Sequence, residues 1–312
     1  MHNVTIAEAA KRLQKGEVIA FPTETVYGLG GDVTNDTAVA RIYSLKDRPI
    51  FNPLIVHYAD IKAAQVDVEF NDMALTLAKA FWPGPLTLVL PRKMSASLSL
   101  LASAGLDTIA VRVPQHPLAL ELLTKCAFPI AAPSANRSGS ISPTMADHVF
   151  KSFGEAVPIV DGGPCLVGVE STILEITNDA PVLLRPGGIS VEQIARLVGP
   201  LAHRAQNDGI NAPGQMSSHY SPGIPVRLMA THVRTQEAYL GFGNHDYENG
   251  AAMLNLSPRG DLVEAAANLF AMLHELDKEI YEGIAVAPIP DQGLGLAIND
   301  RLVRASGARP LR

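Results

Sequence analysis

At 312 residues the chain is too long for one ordinary hydrophobic core, so we expect two domains. Its 47% hydrophobic and 18% charged residues are typical of a globular enzyme and exclude a disordered or fibrous chain. A net charge of −6 argues against a surface coated with basic residues for nucleic-acid binding, which leaves a local basic patch as the open alternative.

The first 200 residues are predicted to combine many short strands with fewer helices. Thr5 to Glu8 has the spacing of a capping box, and Asp36 is expected to cap a second helix that Pro49 ends. A third helix is predicted at 72–81, and Ser190 to Gln193 forms a second capping box. Strands are expected in segments 17–25, 54–58, 86–90, 108–114, 129–132, 157–163, 171–177 and 181–187. This mixture predicts an α+β domain built on a twisted mixed sheet.

The character of the chain changes at residues 201–225, which are polar, rich in glycine and proline, and without hydrophobic periodicity. Such a composition predicts a linker. Apolar strands then alternate with helices, including one at 262–278, which is typical of a small parallel α/β domain. The expected organisation is therefore a first domain at 1–200, a linker or lid at 201–225, and a second domain at 226–312.

Several common chemistries lack their motifs. The glycines at 28–31 lack the third glycine of a dinucleotide fingerprint, and the sequence contains no Walker A loop, nucleophile elbow or H-E-x-x-H zinc motif. Its two cysteines, Cys126 and Cys165, form no C-x-x-C pair, so neither disulfides nor a zinc site are expected. The N-terminal segment does not resemble a signal peptide, and no apolar run is long enough to span a bilayer. We expect a cytoplasmic protein without membrane contact.

What remains is a set of polar loops at strand ends, with sequences PTETVYGLG, KDRP, FNPLIVH, AVRVP, APSANRSGSISPT, GVEST and LLRPGG. Loops at strand ends often carry function. Arginine offers a planar fork, lysine a point charge, and serine and asparagine complete an anion cradle. Together these side chains suit a polyphosphate.

Each residue also has a purely structural interpretation. Lys46 and Arg48 could form a solvated helix end, which favours cations. Arg112 could pair with a structural carboxylate, and His57 could simply be packed at its strand end. Ser134 and Asn136 could cap the turn before Gly139.

The combination of motifs resembles the YrdC-type threonylcarbamoyl-AMP synthases. The similarity rests on PTETVYGLG, on K-x-R-P followed by N-P-L-I-V-H, on PSANxSG, and on STI and L-R-P-G. The segments SSHYSPG and LAINDRLVRAS are similar to the longer, two-domain members. The resemblance implies a twisted sheet around a large cationic cavity, followed by a smaller Rossmann-like α/β domain.

The resemblance also implies a nucleotidyltransferase reaction. L-threonine, bicarbonate and ATP would give L-threonylcarbamoyl-AMP and pyrophosphate, and the product would serve tRNA threonylcarbamoyladenosine modification through downstream transfer proteins. No protein nucleophile is needed, because the enzyme has to align repelling anions and stabilise charge on the pyrophosphate. Mg²⁺ would be held mainly by phosphates, without a protein metal site.

Site residues follow from the matching motifs. The resemblance implies a catalytic group formed by Lys46, Arg48, Ser134 and Asn136. It implies ATP contacts from Arg48, Asn52, Thr108, Ser134, Ser142, Arg185 and Tyr220. It implies a threonine pocket formed by Thr25, His57, Arg112, Ala132 and Ser171, with Arg112 on the substrate carboxylate. We expect Tyr220 to close over the nucleotide as part of a lid.

Other functions stay open at this point. A non-catalytic paralogue that binds double-stranded RNA or nucleotides would share the fold, and weak RNA contact is compatible with a local basic patch. A regulatory nucleotide-binding module is a further alternative. A hydrogenase-maturing carbamoyltransferase is disfavoured, because it would need paired C-x-x-C zinc sites.

Overall fold

The computed structural model describes residues 2–176, 180–203, 219–244 and 250–307. Within those ranges the chain forms a mixed α/β structure with two sheets, one of nine strands and one of four. None of the helices in these ranges combines the length and apolar character needed to cross a membrane.

The large sheet is built by the first part of the chain and has the strand order β1-β2-β6-β3-β5-β4-β7-β8-β9. Its β3–β5, β4–β7 and β8–β9 pairs are parallel and its other pairs are antiparallel, so the predicted mixed sheet is confirmed. The strands are β1 Ile19–Phe21, β2 Gly28–Asp32, β3 Ile55–His57, β4 Leu86–Pro91, β5 Thr108–Arg112, β6 Ile130–Ala131, β7 Thr172–Glu175, β8 Val182–Arg185 and β9 Ala202–His203.

Helices pack against this sheet and against one another. Apolar residues of these helices join the strands in two buried clusters. The helices are α1 Ile6–Gln14, α2 Asp36–Lys46, α3 Ile61–Asp67, α4 Asp72–Phe81, α5 Pro117–Cys126, α6 Ala146–Phe153 and α7 Val191–Val198.

The small sheet is entirely parallel and has the order β10-β13-β11-β12. Two long helices accompany it, which agrees with the parallel α/β pattern read from the sequence. The elements are β10 Val226–Arg227, β11 Glu237–Gly241, β12 Ala252–Asn255, α8 Leu262–Leu276, β13 Gly283–Val286 and α9 Gly295–Ser306.

The starts of the helices predicted after Thr5, at Asp36, at Asp72, after Ser190 and at Leu262 agree with the structure to within one residue, whereas α3 and α6 were not predicted. The Ser190 box is complete, since its side chain accepts from Gln193 N and the Gln193 side chain accepts from Ser190 N. Only half of the Thr5 box forms, because Glu8 instead pairs with Arg12 at 2.9 Å. The cap of α2 is Asn35 rather than Asp36: Asn35 Oδ1 accepts from two backbone amides of the first turn.

Two local expectations about strands were wrong. The glycine-rich segment read as a loop is strand β2, and a Cβ at Gly30 would lie 2.8 Å from the Phe21 ring and 2.9 Å from Ile130. Glycine is therefore required here for close packing rather than for a phosphate turn. Segment 157–163 is not a strand but makes isolated bridges through Ile159; Pro158 lacks the amide hydrogen that longer pairing would need.

The hydrophobic core around the small sheet also includes residues from the first part of the chain. Val26, Ile141 and Val169, from loops of the first part of the chain, belong to the same buried cluster as Leu269 of α8. The two parts therefore share apolar contacts at the loops that carry the predicted site.

Candidate functional site

The KDRP loop turns inward because α2 ends at Lys46 and Asp47 caps it. Asp47 adopts a left-handed conformation with φ of 52°, so the helix stops before Pro49. Arg48 is buried and donates from Nε to Asn52 O at 3.0 Å and from Nη2 to Asn52 Oδ1 at 2.7 Å and Pro53 O at 2.8 Å. Burial lowers the pKa of Arg48 to about 10, so it is still a cation at neutral pH. The side chain lines a cavity, which excludes the solvated-helix-end interpretation.

Lys46 lies behind this cavity rather than on its wall. Its side chain is 1% exposed, and Nζ donates to Ser134 O at 2.6 Å and Asn136 O at 2.5 Å. Burial and the nearby Arg48 charge hold the pKa of Lys46 well below its ordinary value. Lys46 thus ties the end of α2 to the PSAN loop.

The PSAN loop brings a second set of polar groups to the same cavity. Ser134 lines the cavity and bridges Gly28 of β2. The Asn136 amide donates to Arg137 O at 2.9 Å and Ser140 O at 2.8 Å, and its Oδ1 is buried without a hydrogen-bond partner among the described residues. Lys46 therefore holds the loop from α2, and the Asn136 side chain holds it from within.

Arg112 ends strand β5 and faces a carboxylate. Its Nη2 donates to Glu24 Oε1 at 2.6 Å, Nη1 donates to Thr25 Oγ1 at 3.0 Å, and Nε donates to Gly84 O at 3.2 Å. The alternative that Arg112 pairs with a buried carboxylate is therefore realised, and Arg112 lines the cavity as well. The pair leaves Glu24 Oε2 without a hydrogen-bond partner within the described ranges.

His57 lies beside Arg112, because β3 and β5 pair in parallel with these two residues in register. Burial, with a smaller contribution from the Arg112 charge, lowers the pKa of His57 to about 3. The imidazole is therefore neutral at physiological pH. Its Nδ1 is buried without a hydrogen-bond partner in the part of the chain that the structure describes.

The GVEST and LRPG loops form the opposite wall. Arg185 donates from Nε and Nη2 to Ser171 O at 3.2 and 3.0 Å, and Ser171 shares a 2.7 Å hydrogen bond with Thr87. Glu170 accepts from Ser142 Oγ at 2.5 Å. Burial alone would raise the pKa of Glu170, but neighbouring arginine charges outweigh it and hold the pKa below its usual range. Glu170 is therefore anionic.

Tyr220 closes the cavity from the side of the small sheet. It is 1% exposed, has a left-handed φ of 63°, and stacks on Phe270 of α8 with ring centroids 5.5 Å apart. Such a φ is unfavourable for a bulky residue and is maintained only where surrounding contacts impose it. His219 packs against its ring at 4.0 Å and also lines the cavity.

The cavity is narrow in this conformation. Its free volume is about 50 Å³, against about 300–1,000 Å³ for typical small-molecule sites. The large cavity expected from the sequence is therefore not present in this state. A nucleotide-sized ligand would require wall residues such as His219 and Tyr220 to shift.

Comparisons with known proteins agree with the motifs. Residues 11–187 match the Sua5/YciO/YrdC family model, which carries the description Telomere recombination. Residues 189–307 match the model of the threonylcarbamoyl-AMP synthase C-terminal domain. The chain belongs to the Sua5/YciO/YrdC family.

Full-length relatives and solved structures of this family are also similar. The threonylcarbamoyl-AMP synthase of Bacillus subtilis is 43% identical, over 98% of this chain and 94% of the relative. That of Pyrococcus abyssi is 40% identical, over 97% and 94%. The crystal structure of P. abyssi Sua5 complexed with L-threonine has a TM-score of 0.88 at 38% identity, covering 96% of this chain and 94% of the other.

In this Sua5/YciO/YrdC family member, the residues predicted for threonine binding lie together. Cavity-lining residues include the whole predicted threonine set, Thr25, His57, Arg112, Ala132 and Ser171. The cavity also receives four members of the predicted ATP set, Arg48, Ser134, Arg185 and Tyr220. The structure thus brings both predicted sets to one place.

Other predicted residues stand behind the wall or away from it. Lys46, Asn52 and Ser142 contact the wall residues Ser134, Arg48 and Glu170 but do not line the cavity. Asn136 does not line it either, and its side chain holds the PSAN loop through Arg137 O and Ser140 O. Thr108 begins β5 while Arg112 ends it, so the strand rise of about 3.3 Å per residue separates them by about 13 Å. Thr108 therefore does not line this cavity.

The structure also places at or beside this site three residues that the sequence patterns did not indicate, Glu24, Glu170 and Arg301. Glu24 lies in the PTET loop and Glu170 in the GVEST loop. In these loops only the hydroxyl-bearing neighbours, Thr25 and Ser171, were predicted as site residues. Arg301 lies in the segment LAINDRLVRAS, which indicated similarity to two-domain family members but no site residue. In each case an unexplained charge inside a motif was the available signal.

No group of three or more histidine, cysteine, aspartate or glutamate side chains that could hold a metal occurs among the described residues. Glu170, the carboxylate on the wall of this cavity, already has both oxygens engaged, by Ser142 and Arg301. Glu170 is therefore not free to act as a Mg²⁺ ligand in this arrangement.

Proposed function

We propose that this chain is an L-threonylcarbamoyladenylate synthase that converts L-threonine, bicarbonate and ATP to L-threonylcarbamoyl-AMP, pyrophosphate and water. The observation that carries the proposal is the convergence of Arg48, Arg112 and Arg185 on one cavity whose wall also contains Ser134 and Tyr220. Three arginines around one small space suit a substrate pair with several negative charges. The full-length similarity to synthases of that name supports the same conclusion.

The chemistry needs alignment more than covalent catalysis. The threonine ammonium group first loses a proton, and the neutral amine attacks the bicarbonate carbon as water leaves. The resulting carbamate oxygen attacks the α-phosphorus of ATP, and pyrophosphate departs, its basic oxygens taking up the equivalent of the released proton. Arg112 would bind the threonine carboxylate, with Glu24 and Thr25 fixing its guanidinium. Arg48 and Arg185 would stabilise the charge that develops on the phosphates.

Neutral His57 suits the threonine end of this cavity. Its unpaired Nδ1 can accept a hydrogen bond from the substrate, and a neutral ring does not repel the substrate ammonium group. Lys46 and Asn136 would act by holding the PSAN loop, with Ser134 directed to the phosphates. The assignment of Asn52 and Ser142 as ATP contacts stays a prediction, as does that of Thr108.

Mg²⁺ would enter with ATP and be held mainly by the phosphates, because the carboxylate of the wall is already paired. The cavity would widen into a cationic nucleotide site when Tyr220 moves. Tyr220 would then cover the adenylate and exclude water from it. Residues 204–218 of the predicted linker or lid lie outside the described residues.

Other aspects of the proposal concern the whole molecule. The small parallel sheet would be a Rossmann-like domain, with boundaries at 1–200 and 226–312 as predicted. A cytoplasmic location, weak RNA contact and delivery of the product to tRNA threonylcarbamoyl-transfer proteins stay predictions.

The deciding experiment mixes the purified chain with L-threonine, bicarbonate and Mg-ATP, and measures pyrophosphate and the adenylate by mass spectrometry. We expect pyrophosphate only when both co-substrates are present. Equal ATP turnover without threonine or without bicarbonate would contradict the proposal. RNA binding with a steep salt dependence and no pyrophosphate would indicate a non-catalytic binding protein instead.

A further inference from the structure

Arg301, on the last described helix, is an unusual core residue. Its side chain is 0% exposed, although it lies on α9 of the small-sheet part of the chain. A buried guanidinium is expensive to desolvate and persists only where several partners compensate it. Its partners therefore indicate what the residue is for.

Those partners include the wall of the candidate site. Arg301 Nε donates to Glu170 Oε2 at 3.0 Å, and Nη1 donates to Pro186 O at 2.6 Å, directly after Arg185. The guanidinium carbon lies 5.5 Å from the centroid of the Tyr220 ring, within cation–π range. One side chain from the C-terminal helix thus contacts the GVEST loop, the LRPG loop and the tyrosine that closes the cavity.

The contact between Arg301 and Glu170 matters for ATP binding because Glu170 is negatively charged. Glu170 lines the cavity in which Arg185 would bind phosphate, and the two residues interact electrostatically. An uncompensated carboxylate at that position would repel ATP and compete for Arg185. Arg301 supplies the compensating charge from behind, while Ser142 satisfies the other carboxylate oxygen.

A separate observation indicates that the small-sheet part shapes the same loop. Gly168, two residues before Glu170, has φ of +73°, and a Cβ there would lie 2.4 Å from Ala266 O and 2.4 Å from Ala267 Cα of α8. The backbone of α8 therefore sits directly against the GVEST loop. Helices α8 and α9 together fix the position of Glu170.

We propose that Arg301 is a positioning residue for the ATP site, and that it gives the C-terminal part of the chain a role in the reaction. By neutralising Glu170 and holding Tyr220, it keeps Arg185 available for the phosphates. This inference rests on the proposed synthase function, because it assigns the phosphates of ATP to Arg185.

The test is a charge-compensation cycle in the full-length chain, with Arg301→Met, Glu170→Gln and the double variant. Arg301→Met should raise the KM for ATP by at least about tenfold, with a much smaller change in the KM for L-threonine. The double variant should recover most of that loss, because the neutral amide no longer competes for Arg185. Arg259→Met, which removes an exposed arginine of the small-sheet part, is the control and should behave as wild type.

The melting temperature of each variant shows whether it is still folded, and calorimetry measures its equilibrium binding of ATP. If Arg301→Met weakens ATP and threonine equally and Glu170→Gln restores nothing, Arg301 is only a structural residue and the inference is wrong. An unchanged KM for ATP would also overturn it. Since ATP binding is measured by calorimetry as well, wild-type protein that binds ATP but makes no adenylate would refute the proposed function separately.

Discussion

Arg112 Nη2 donates to Glu24 Oε1 at 2.6 Å, so the cation assigned to the threonine carboxylate already has a buried partner of the same chemistry. The Arg112 side chain is 4% exposed and that of Glu24 is 5% exposed. This pair sets the orientation of the guanidinium before any substrate arrives. It also means that a simple deletion of Arg112 would leave an uncompensated buried carboxylate.

Arg112→Lys is therefore the informative substitution for threonine recognition. It keeps a positive charge near Glu24 but loses the fork that can serve Glu24, Thr25 and a substrate carboxylate together. We expect the dissociation constant for L-threonine to rise about 10- to 100-fold, the range of a lost charge-assisted hydrogen bond. Isothermal titration should show nearly unchanged ATP affinity. The reverse pattern would mean that the two pockets are assigned wrongly, and exposed Arg137→Lys serves as the control.

Arg48→Ala should reduce turnover by about two to three orders of magnitude, the loss seen when one donor to developing charge is removed. The measurement is steady-state pyrophosphate release at saturating substrates. Arg41→Ala removes an exposed arginine from α2, the helix that precedes Arg48, and should leave turnover unchanged. Comparable activity in both variants would show that Arg48 does not contribute to catalysis.

Lys46→Ala should affect both stability and activity. Had Lys46 been a solvated helix-end cation, its removal would hardly change stability, but its Nζ holds two carbonyl groups of the PSAN loop. Leaving such buried acceptors unsatisfied costs about 1–3 kcal/mol. Thermal denaturation should therefore show a melting temperature lower by several degrees, together with reduced pyrophosphate release. An unchanged melting temperature would contradict the observed tether.

His57 should make the protein less stable in acid. Its folded pKa is about 3, whereas an unfolded imidazole titrates near about 6.5. The unfolded chain therefore takes up the proton first, and stability present above pH 6.5 is lost as the pH falls toward 3. His57→Gln should make the free energy of unfolding less pH-dependent between pH 6 and 4 in urea titrations. An identical slope in both proteins would show that His57 is not buried in its neutral form.

Tyr220 provides a matched pair of variants. Tyr220→Phe keeps the ring that stacks on Phe270 and lies over Arg301, so most activity should remain. Tyr220→Ala removes that surface, and we expect a higher KM for ATP and faster loss of the adenylate to water. The lifetime of the product, followed by mass spectrometry, distinguishes these results. If Tyr220→Ala retains a normal KM and product lifetime, the ring only packs the two parts together.

The local sequence determined those secondary-structure elements that are specified by residues close together in the chain. Helix α4 begins and ends where its periodicity predicted, at Asp72–Phe81, and the Ser190 capping box forms completely. Each polar segment identified at a strand end contributes at least one residue to the cavity wall, although residues 28–32 form strand β2 rather than a loop. In these cases a cap, a turn or an apolar repeat specifies the structure without reference to distant residues.

Tertiary structure decided the pairings that join distant segments. Lys46 reaches carbonyl groups 88 and 90 residues away, Arg112 meets Glu24 across 88 residues, and Arg301 meets Glu170 across 131. No local rule states which buried cation will find which oxygen, because a charge can be compensated by any partner that the fold brings near. The same reason places Thr108 outside the cavity lining and brings Arg301 to Glu170, because strand direction and helix packing, rather than residue type, set these distances.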